Sequence, residues 1–354
     1  MSKPNQEKMN AFSNHMLDIL NGSMLGLMVG IGYKTGLFEV MAGLPPSTSK
    51  QIASASGSNE RYVREWLAAM TTGRIIDYDP ENNAYSLPPE HASLLTQTAG
   101  ADNMARLAMV IPSLASVQEE IIDCFLHGGG VSYSKYPAFM DLWAEINAER
   151  FDATLNQKVL PCMPDVVEKL RQGSEALDLG CGNGHALILM AKAFPNSMFT
   201  GYDLLEGGIA AAGEKAESLG LRNVAVEVKD TADFNEPGKY DLITAFDVIH
   251  DIAQPDRTLR SIAASLTPDG AFLMVDLAAS SNLHENQEHP LGPWLYTTSC
   301  MHCMTVSLAC DGPGLGAMWG EQKALRMLDE AGFGNVRIEK IPGDVFNNYY
   351  IARK

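Results

Sequence analysis

One nine-residue segment constrains this chain more than any other: Ala176-Leu177-Asp178-Leu179-Gly180-Cys181-Gly182-Asn183-Gly184. Its apolar start has strand character. The glycines force a tight turn, and the apolar run Ala186–Phe194 that follows has helical length. A strand that enters a glycine-rich turn and leaves as a helix opens an α/β sheet. The same rhythm continues from residue 174 onward. Strands are predicted at Glu175–Gly180, Met198–Asp203, Val224–Asp230, Tyr240–Asp247 and Ala271–Leu277, with helices at Ala186–Phe194, Glu206–Leu219 and Pro255–Leu266 between them. Such alternation implies a doubly wound, mostly parallel α/β sheet of about seven strands, closed by an antiparallel pair at Val336–Ile341 and Asn347–Arg353.

The chain before residue 95 has a different pattern. Ser49–Ala55 is a helix candidate, Gly57-Ser58-Asn59 a turn, and Glu60–Thr72 a second helix with Tyr62, Val63, Leu67 and Met70 on one face. Ile75–Tyr78 and Ala84–Leu87 flank a polar turn and form a hairpin. Helix, turn, helix and hairpin make a winged helix, so the N-terminal part is a mostly helical winged-helix domain. Three divisions follow: a winged-helix and dimerisation domain over 1–95, a helical bridge and lid over 96–172, and the sheet domain over 173–354.

Charge limits the partners. With 26 Lys and Arg against 43 Asp and Glu, the net charge is −17, which repels phosphate backbones. In the second helix Arg61 and Arg64 are cancelled by Glu60 and Glu65. Nucleic acid is therefore not an expected partner. The polar N-terminus does not resemble a secretory signal, and no apolar run approaches a bilayer-spanning length, so no membrane partner is expected. Six scattered cysteines (Cys124, Cys162, Cys181, Cys300, Cys303, Cys310) read as reduced thiols and a cytoplasmic location.

The glycine turn then specifies a ligand. Gly180 and Gly182 allow close backbone approach, and Asp203 ends the next strand, where a carboxylate accepts ribose hydroxyls. A dinucleotide site favours a third glycine and a helix N-terminus facing pyrophosphate. Here Asp178 precedes the glycines and would repel phosphate. It suits a ligand carrying an ammonium and a sulfonium, as S-adenosylmethionine does.

These residues resemble the class I S-adenosylmethionine-dependent methyltransferases. Asp178–Gly184 is similar to that family's first motif, Tyr202-Asp203 to its second, Lys229-Asp230-Thr231 to its third and Tyr240–Asp247 to its fourth. With the winged helix, the resemblance extends to the two-domain small-molecule methyltransferases of bacteria and animals. It implies a Rossmann-like fold in which Asp178, Gly180 and Gly182 hold the methionine part, Asp203 with Leu204 the ribose, and Asp230, Thr231 and Phe246 the adenine side. It also implies S-adenosylhomocysteine as product, a small-molecule methyl acceptor, and a homodimer built through the first domain.

Methyl transfer needs nucleophile, methyl and sulfonium in line, and a protonated nucleophile needs a base. His250 and Asp251 follow the fourth strand at the sheet edge where ligands bind. They resemble the histidine–aspartate pair of winged-helix O-methyltransferases, with Ile252 where a tryptophan usually follows. Three roles are open to His250: base, site wall or surface group. His302 and Asp251 are the other candidates for the catalytic work. Cys300-x-x-Cys303 around His302 lacks the partners of a zinc or redox site, so no metal is expected, and the segment reads as core or pocket wall. His284 and His289 are expected in solvent, and Tyr133 and Tyr136 as lid contacts or helix packing. A small thiol is the expected acceptor, because Met301, Cys303 and Met304 are soft and polarisable. A phenolic or hydroxylated metabolite is the alternative. The reading from another class is a DNA-binding regulator that senses S-adenosylmethionine.

Overall fold

The computed structural model describes residues 4–232 and 234–354. The chain divides into two compact units, the first ending at Ala115 and the second beginning at Ser116. The expected bridge over 96–172 is thus divided: 96–115 pack with the first unit and 116–172 with the second.

In the first unit, helices Ser49–Ser56 and Glu60–Thr72 form where the sequence places them. Thr48 and Gln51 close a capping box on the first, and Asn59 caps the second. The hairpin pairs β1 (Asp77–Asp79) with β2 (Ala84–Ser86). The buried face of helix Glu60–Thr72 is Val63, Trp66, Leu67 and Met70. Tyr62 is 80% exposed, so it does not belong to that face as expected. Helical geometry places Trp66 there instead, three residues after Val63 and four before Met70. Arg61 pairs with Glu65, and Arg64 with Glu60 at 3.5 Å, which neutralises the helix surface from within.

The long helix Gln6–Lys34 differs from expectation. By length and composition it is apolar enough to cross a membrane, although no such segment was expected. Its apolar residues recur every three or four positions between Asn, Ser and Gly, so the sequence shows no unbroken run. Met9, Phe12, Met16, Ile19 and Leu20 are all exposed.

The second unit contains a seven-stranded sheet of β3 (Glu175–Leu179), β4 (Met198–Asp203), β5 (Val224–Val228), β6 (Tyr240–Phe246), β7 (Leu266–Leu277), β8 (Asn335–Glu339) and β9 (Asn347–Arg353), ordered β5-β4-β3-β6-β7-β9-β8. β9 runs antiparallel to both of its neighbours, and the other pairings are parallel. Helices pack on both faces and build two cores. One joins Leu187, Met190 and Phe199 with Leu273, the other Ile243, Leu259 and Ile262 with Phe272. The strand order reverses beside β3, between it and β6, and the crevice at such a switch point is where an open sheet of this kind receives ligands.

Candidate active site

At that switch point lies a cavity of about 420 Å³. Gly180 follows β3 at φ +64°, and a Cβ there would stand 2.4 Å from Val248 Cγ2, so only glycine closes the turn. Asp203 Oδ2 accepts from the backbone N–H of Gly182 at 2.8 Å and its Oδ1 from that of Leu205 at 2.9 Å. The carboxylate at the end of β4 therefore also fixes the glycine loop. Asp230 likewise accepts from the backbone N–H of Ala232 at 2.8 Å.

All eight residues expected around the cofactor line this cavity: Asp178, Gly180, Gly182, Asp203, Leu204, Asp230, Thr231 and Phe246. Asp178 is almost wholly buried and accepts from Thr244 Oγ1 at 2.6 Å. Burial, with a smaller push from Asp203, moves its carboxyl up to about 7.

Of the three residues expected to do chemistry, only Asp251 lines the cavity. His250 is buried and lies behind it, with Nδ1 2.8 Å from Asp276 Oδ1 and Nε2 3.1 Å from Asp251 Oδ1. Burial alone would lower its pKa, but the two carboxylates outweigh that and hold it well above the ordinary histidine value. Of the three roles open to His250, its burial excludes that of a surface group; it lies between two carboxylates and does not line the cavity. His302 sits deep in a nest of aromatic rings, 4.2 Å from Phe139 and 4.8 Å from Tyr136 by ring centres. Its Nδ1 is 4.0 Å from Asp251 Oδ2, and neither ring nitrogen has a hydrogen-bond partner. Burial lowers its pKa to about 4, so it is neutral at pH 7.

The segment carrying His302 is a π-helical stretch, Ser299–Cys303, between helices Gly292–Thr298 and Met304–Leu308. Stretches of this kind are frequent at functional sites. Met301, Cys303 and Met304 do not line the cavity, whereas Cys310 does. Tyr133 lines it and donates to Asp251 Oδ2 at 3.3 Å. Tyr136 is buried and donates to the carbonyl of Met301 at 2.6 Å. Pro137 opens helix Pro137–Thr154 from its first turn. That helix brings Met140, Trp143, Ala144 and Phe151 to the cavity wall. His284 is exposed, but His289 is half-buried, Nε2 at 3.2 Å from the carbonyl of Ala278, so only His284 is in solvent as expected.

Sequence reasoning missed Arg150. Its Nη2 donates to Asp247 Oδ2 at 2.9 Å, and Asp247 lines the cavity with left-handed backbone at φ +57°. A non-glycine residue held there at a strand end is a mark of a functional site. Nothing in the spacing of Arg150 marks it out. Asp247, as the last residue of the fourth motif, was within reach.

Comparison with known proteins agrees with this geometry. Residues 23–97 match the Rv2258c-like winged HTH domain and residues 170–332 the methyltransferase domain. A polyketide synthase of Burkholderia thailandensis is 33% identical over 114 residues, which is 32% of this chain and 6% of that protein. The 27-O-demethylrifamycin SV methyltransferase of Amycolatopsis mediterranei is 28% identical over 158 residues, 40% of this chain and 56% of that protein. The chain thus spans from 6% to 56% of the length of these curated relatives. A putative O-methyltransferase from Nostoc punctiforme superposes with TM-score 0.72 and 16% identity, covering all of both chains. Human N-acetylserotonin methyltransferase in complex with S-adenosylmethionine does so with TM-score 0.65 and 17% identity, over 100% of this chain and 99% of that one. At such identities the likeness shows the fold.

Proposed function

Because the chain belongs to the S-adenosylmethionine-dependent methyltransferases that carry an N-terminal winged-helix domain, we propose that it methylates a small, largely apolar molecule at a hydroxyl oxygen. One observation carries this reading. The cavity at the switch point is lined by Asp178, Asp203, Asp230, Asp247 and Asp251 and, among the described residues, by no Lys or Arg. That field suits a ligand with sulfonium and ammonium charges and opposes a pyrophosphate. The donor set fits S-adenosylmethionine: Asp178 beside the methionine ammonium, Asp203 at the ribose hydroxyls, Asp230 and Thr231 at the adenine. The bound cofactor supplies an electrophilic methyl group.

The remaining steps belong to the chain's own residues. Tyr133, Met140, Trp143, Phe151 and Val306 give the acceptor an apolar and aromatic wall. Asp251 Oδ2 faces that space, accepts the hydrogen bond of the acceptor's O–H and takes its proton as the methyl leaves sulfur. His250 acts from behind as a positioning residue, holding Asp251 ionised. Its carboxyl is pushed up by burial and pulled down more by His250, for a net value below the usual carboxylate range. Oxygen is favoured over sulfur for two reasons. The soft side chains that suggested a thiol do not line the cavity, and the Nostoc protein is described as an O-methyltransferase.

A second copy of this chain covers the exposed half of helix Gln6–Lys34. Met9, Phe12, Met16, Ile19 and Leu20 occupy one face, and Asn10, Asn14, Asp18 and Asn21 another. One-sided apolarity suits pairing with another helix, whereas a bilayer-spanning helix is apolar all round. The absence of nucleic acid from the reaction and a cytoplasmic location remain part of this reading.

The experiment is incubation with S-adenosylmethionine and a panel of phenols, aliphatic alcohols, thiols and amines, with S-adenosylhomocysteine as readout. Turnover of hydroxylated aromatics in preference to the other classes is expected. No product with any class overturns methyl transfer, and turnover of thiols alone overturns the choice of oxygen.

A further inference from the structure

Six residues of helix Pro137–Thr154 line the cavity: Met140, Trp143, Ala144, Asn147, Ala148 and Phe151. In a helix of about 3.6 residues per turn they share one face, and Asn147 stands near its middle. The other five are apolar. We propose that Asn147 determines acceptor specificity: its side-chain amide donates a hydrogen bond to a neutral carbonyl oxygen that the methyl acceptor carries in addition to its hydroxyl. On the proposed O-methylation, on which this rests, the acceptors narrow to hydroxylated ketones, quinones and amides.

Asparagine is an unfavourable choice inside a helix, because its side chain competes for backbone hydrogen bonds and prefers caps and turns. Asn147 is well inside this helix and caps neither end. Among the described residues its amide has no hydrogen-bond partner, and it is half-buried, so it stays open to the cavity. Ala144 and Ala148 beside it are small and leave the amide clear. A ligand that covers this amide without pairing it removes its hydrogen bonds to water and replaces none of them, so the position selects for a polar group.

The rest of the cavity decides which polar group. Its five aspartates accept hydrogen bonds when ionised, and the Tyr133 hydroxyl donates to Asp251 at 3.3 Å. Asn147 Nδ2 thus brings to the acceptor wall a donor that no group of the protein engages. A carbonyl oxygen and a carboxylate both accept from such a donor, but the aspartates oppose a further anion, which leaves the neutral carbonyl. The Trp143 indole, one turn before Asn147, lies within 4° of the plane of Phe139 and 26° of that of Trp294. Rings on both sides hold its orientation, so a flat acceptor meets a fixed surface beside the amide.

Acceptor binding is measured apart from turnover, so it succeeds or fails independently of methyl transfer, whose own failure shows as no S-adenosylhomocysteine formed. The full chain, saturated with S-adenosylhomocysteine, is titrated by calorimetry with para-isobutylphenol, para-hydroxyphenylacetone and para-hydroxyphenylacetate. The three share a shape, and a methylene insulates each phenol from its substituent. Relative to para-isobutylphenol, the ketone should lose about five- to tenfold in affinity on Asn147→Leu, as one neutral hydrogen bond is removed. Asn147→Asp keeps the shape but replaces the donor by a carboxylate, and should lose at least as much. The parent protein should bind the carboxylate ligand more weakly than the ketone. Circular dichroism identifies any variant that has not folded, and Asn147→Asp decides if Asn147→Leu is one. An unchanged ketone-to-isobutyl ratio in the folded variants, tighter binding of the carboxylate than of the ketone, or no binding of any of the three overturns the proposal.

Discussion

His250 Nδ1 meets Asp276 Oδ1 at 2.8 Å with both side chains almost wholly buried, and this contact fixes the orientation and tautomer of the ring. A ring nitrogen that faces a carboxylate donates its proton to it. With Asp251 at the other nitrogen, the two carboxylates hold the ring's pKa well above the ordinary histidine value.

The first prediction concerns stability. The folded pKa of His250 is raised, so its contribution is fully present below the unfolded value of about 6.5 and is lost as pH rises through the folded value. His250→Gln should cost about 3–5 kcal/mol below pH 6, as expected for one partner removed from a buried ion pair. The gap to the parent protein should narrow in alkali. Denaturant titrations at several pH values check this, and a gap that does not vary with pH defeats the assignment.

Turnover should depend on Asp251 instead. Asp251→Asn keeps the shape but cannot take the acceptor's proton, so kcat should fall about 10²–10⁴-fold. Calorimetry should find the S-adenosylmethionine affinity unchanged. Full activity in this variant would leave the acceptor's proton to solvent and reduce Asp251 to a wall.

The cavity wall around the glycine turn was legible in the sequence, and the opposite wall was not. Asp178, Gly180, Gly182 and Asp203 lie at strand ends and in the turn between them, so a local pattern fixes their place. Asp251 and His250 are adjacent in sequence, but only one faces the cavity. Which one is decided by Asp276, twenty-six residues away on a neighbouring strand. Arg150 is joined to Asp247 across ninety-seven residues, and Trp143 reaches the cavity through the course of an entire helix. Helix Gln6–Lys34 was missed for another reason: its apolar stripe is periodic and is interrupted at every turn by Asn, Gly or Ser.

If a second copy covers that stripe, charge placed on it should separate the copies. Phe12→Asp combined with Leu20→Asp should shift light scattering from dimer to monomer while leaving the second unit's circular dichroism unchanged. A parent protein that is already monomeric at micromolar concentration defeats the proposal.

Asp203, at which the proposed reading puts the ribose, ties down the glycine loop through Gly182 and Leu205. Asp203→Ala should therefore weaken S-adenosylmethionine binding by about 1–3 kcal/mol, since the hydroxyls lose charged acceptors. Unchanged affinity by calorimetry would remove the ribose from the end of β4.

Asp178 gives the last prediction: on the proposed reading its proton competes with the cofactor. In the free protein burial raises this carboxyl to about 7, while Thr244 keeps one oxygen hydrogen-bonded. A ligand bearing ammonium and sulfonium charges binds the ionised form. Below pH 7 binding must first expel the proton, so affinity should fall about tenfold per pH unit there and level off above it. The amide of Asp178→Asn cannot ionise. That variant should bind about 1–3 kcal/mol more weakly than the parent in mild alkali and show no such slope. Near pH 5.5, about where most parent molecules carry the proton, the two should nearly coincide. Calorimetry in two buffers of different ionisation heat counts the proton directly, with close to one released per cofactor bound in acid and none in alkali. Parent affinity that stays flat from about pH 5.5 to 8.5 would mean that Asp178 is ionised before the cofactor arrives, or lies apart from its charges.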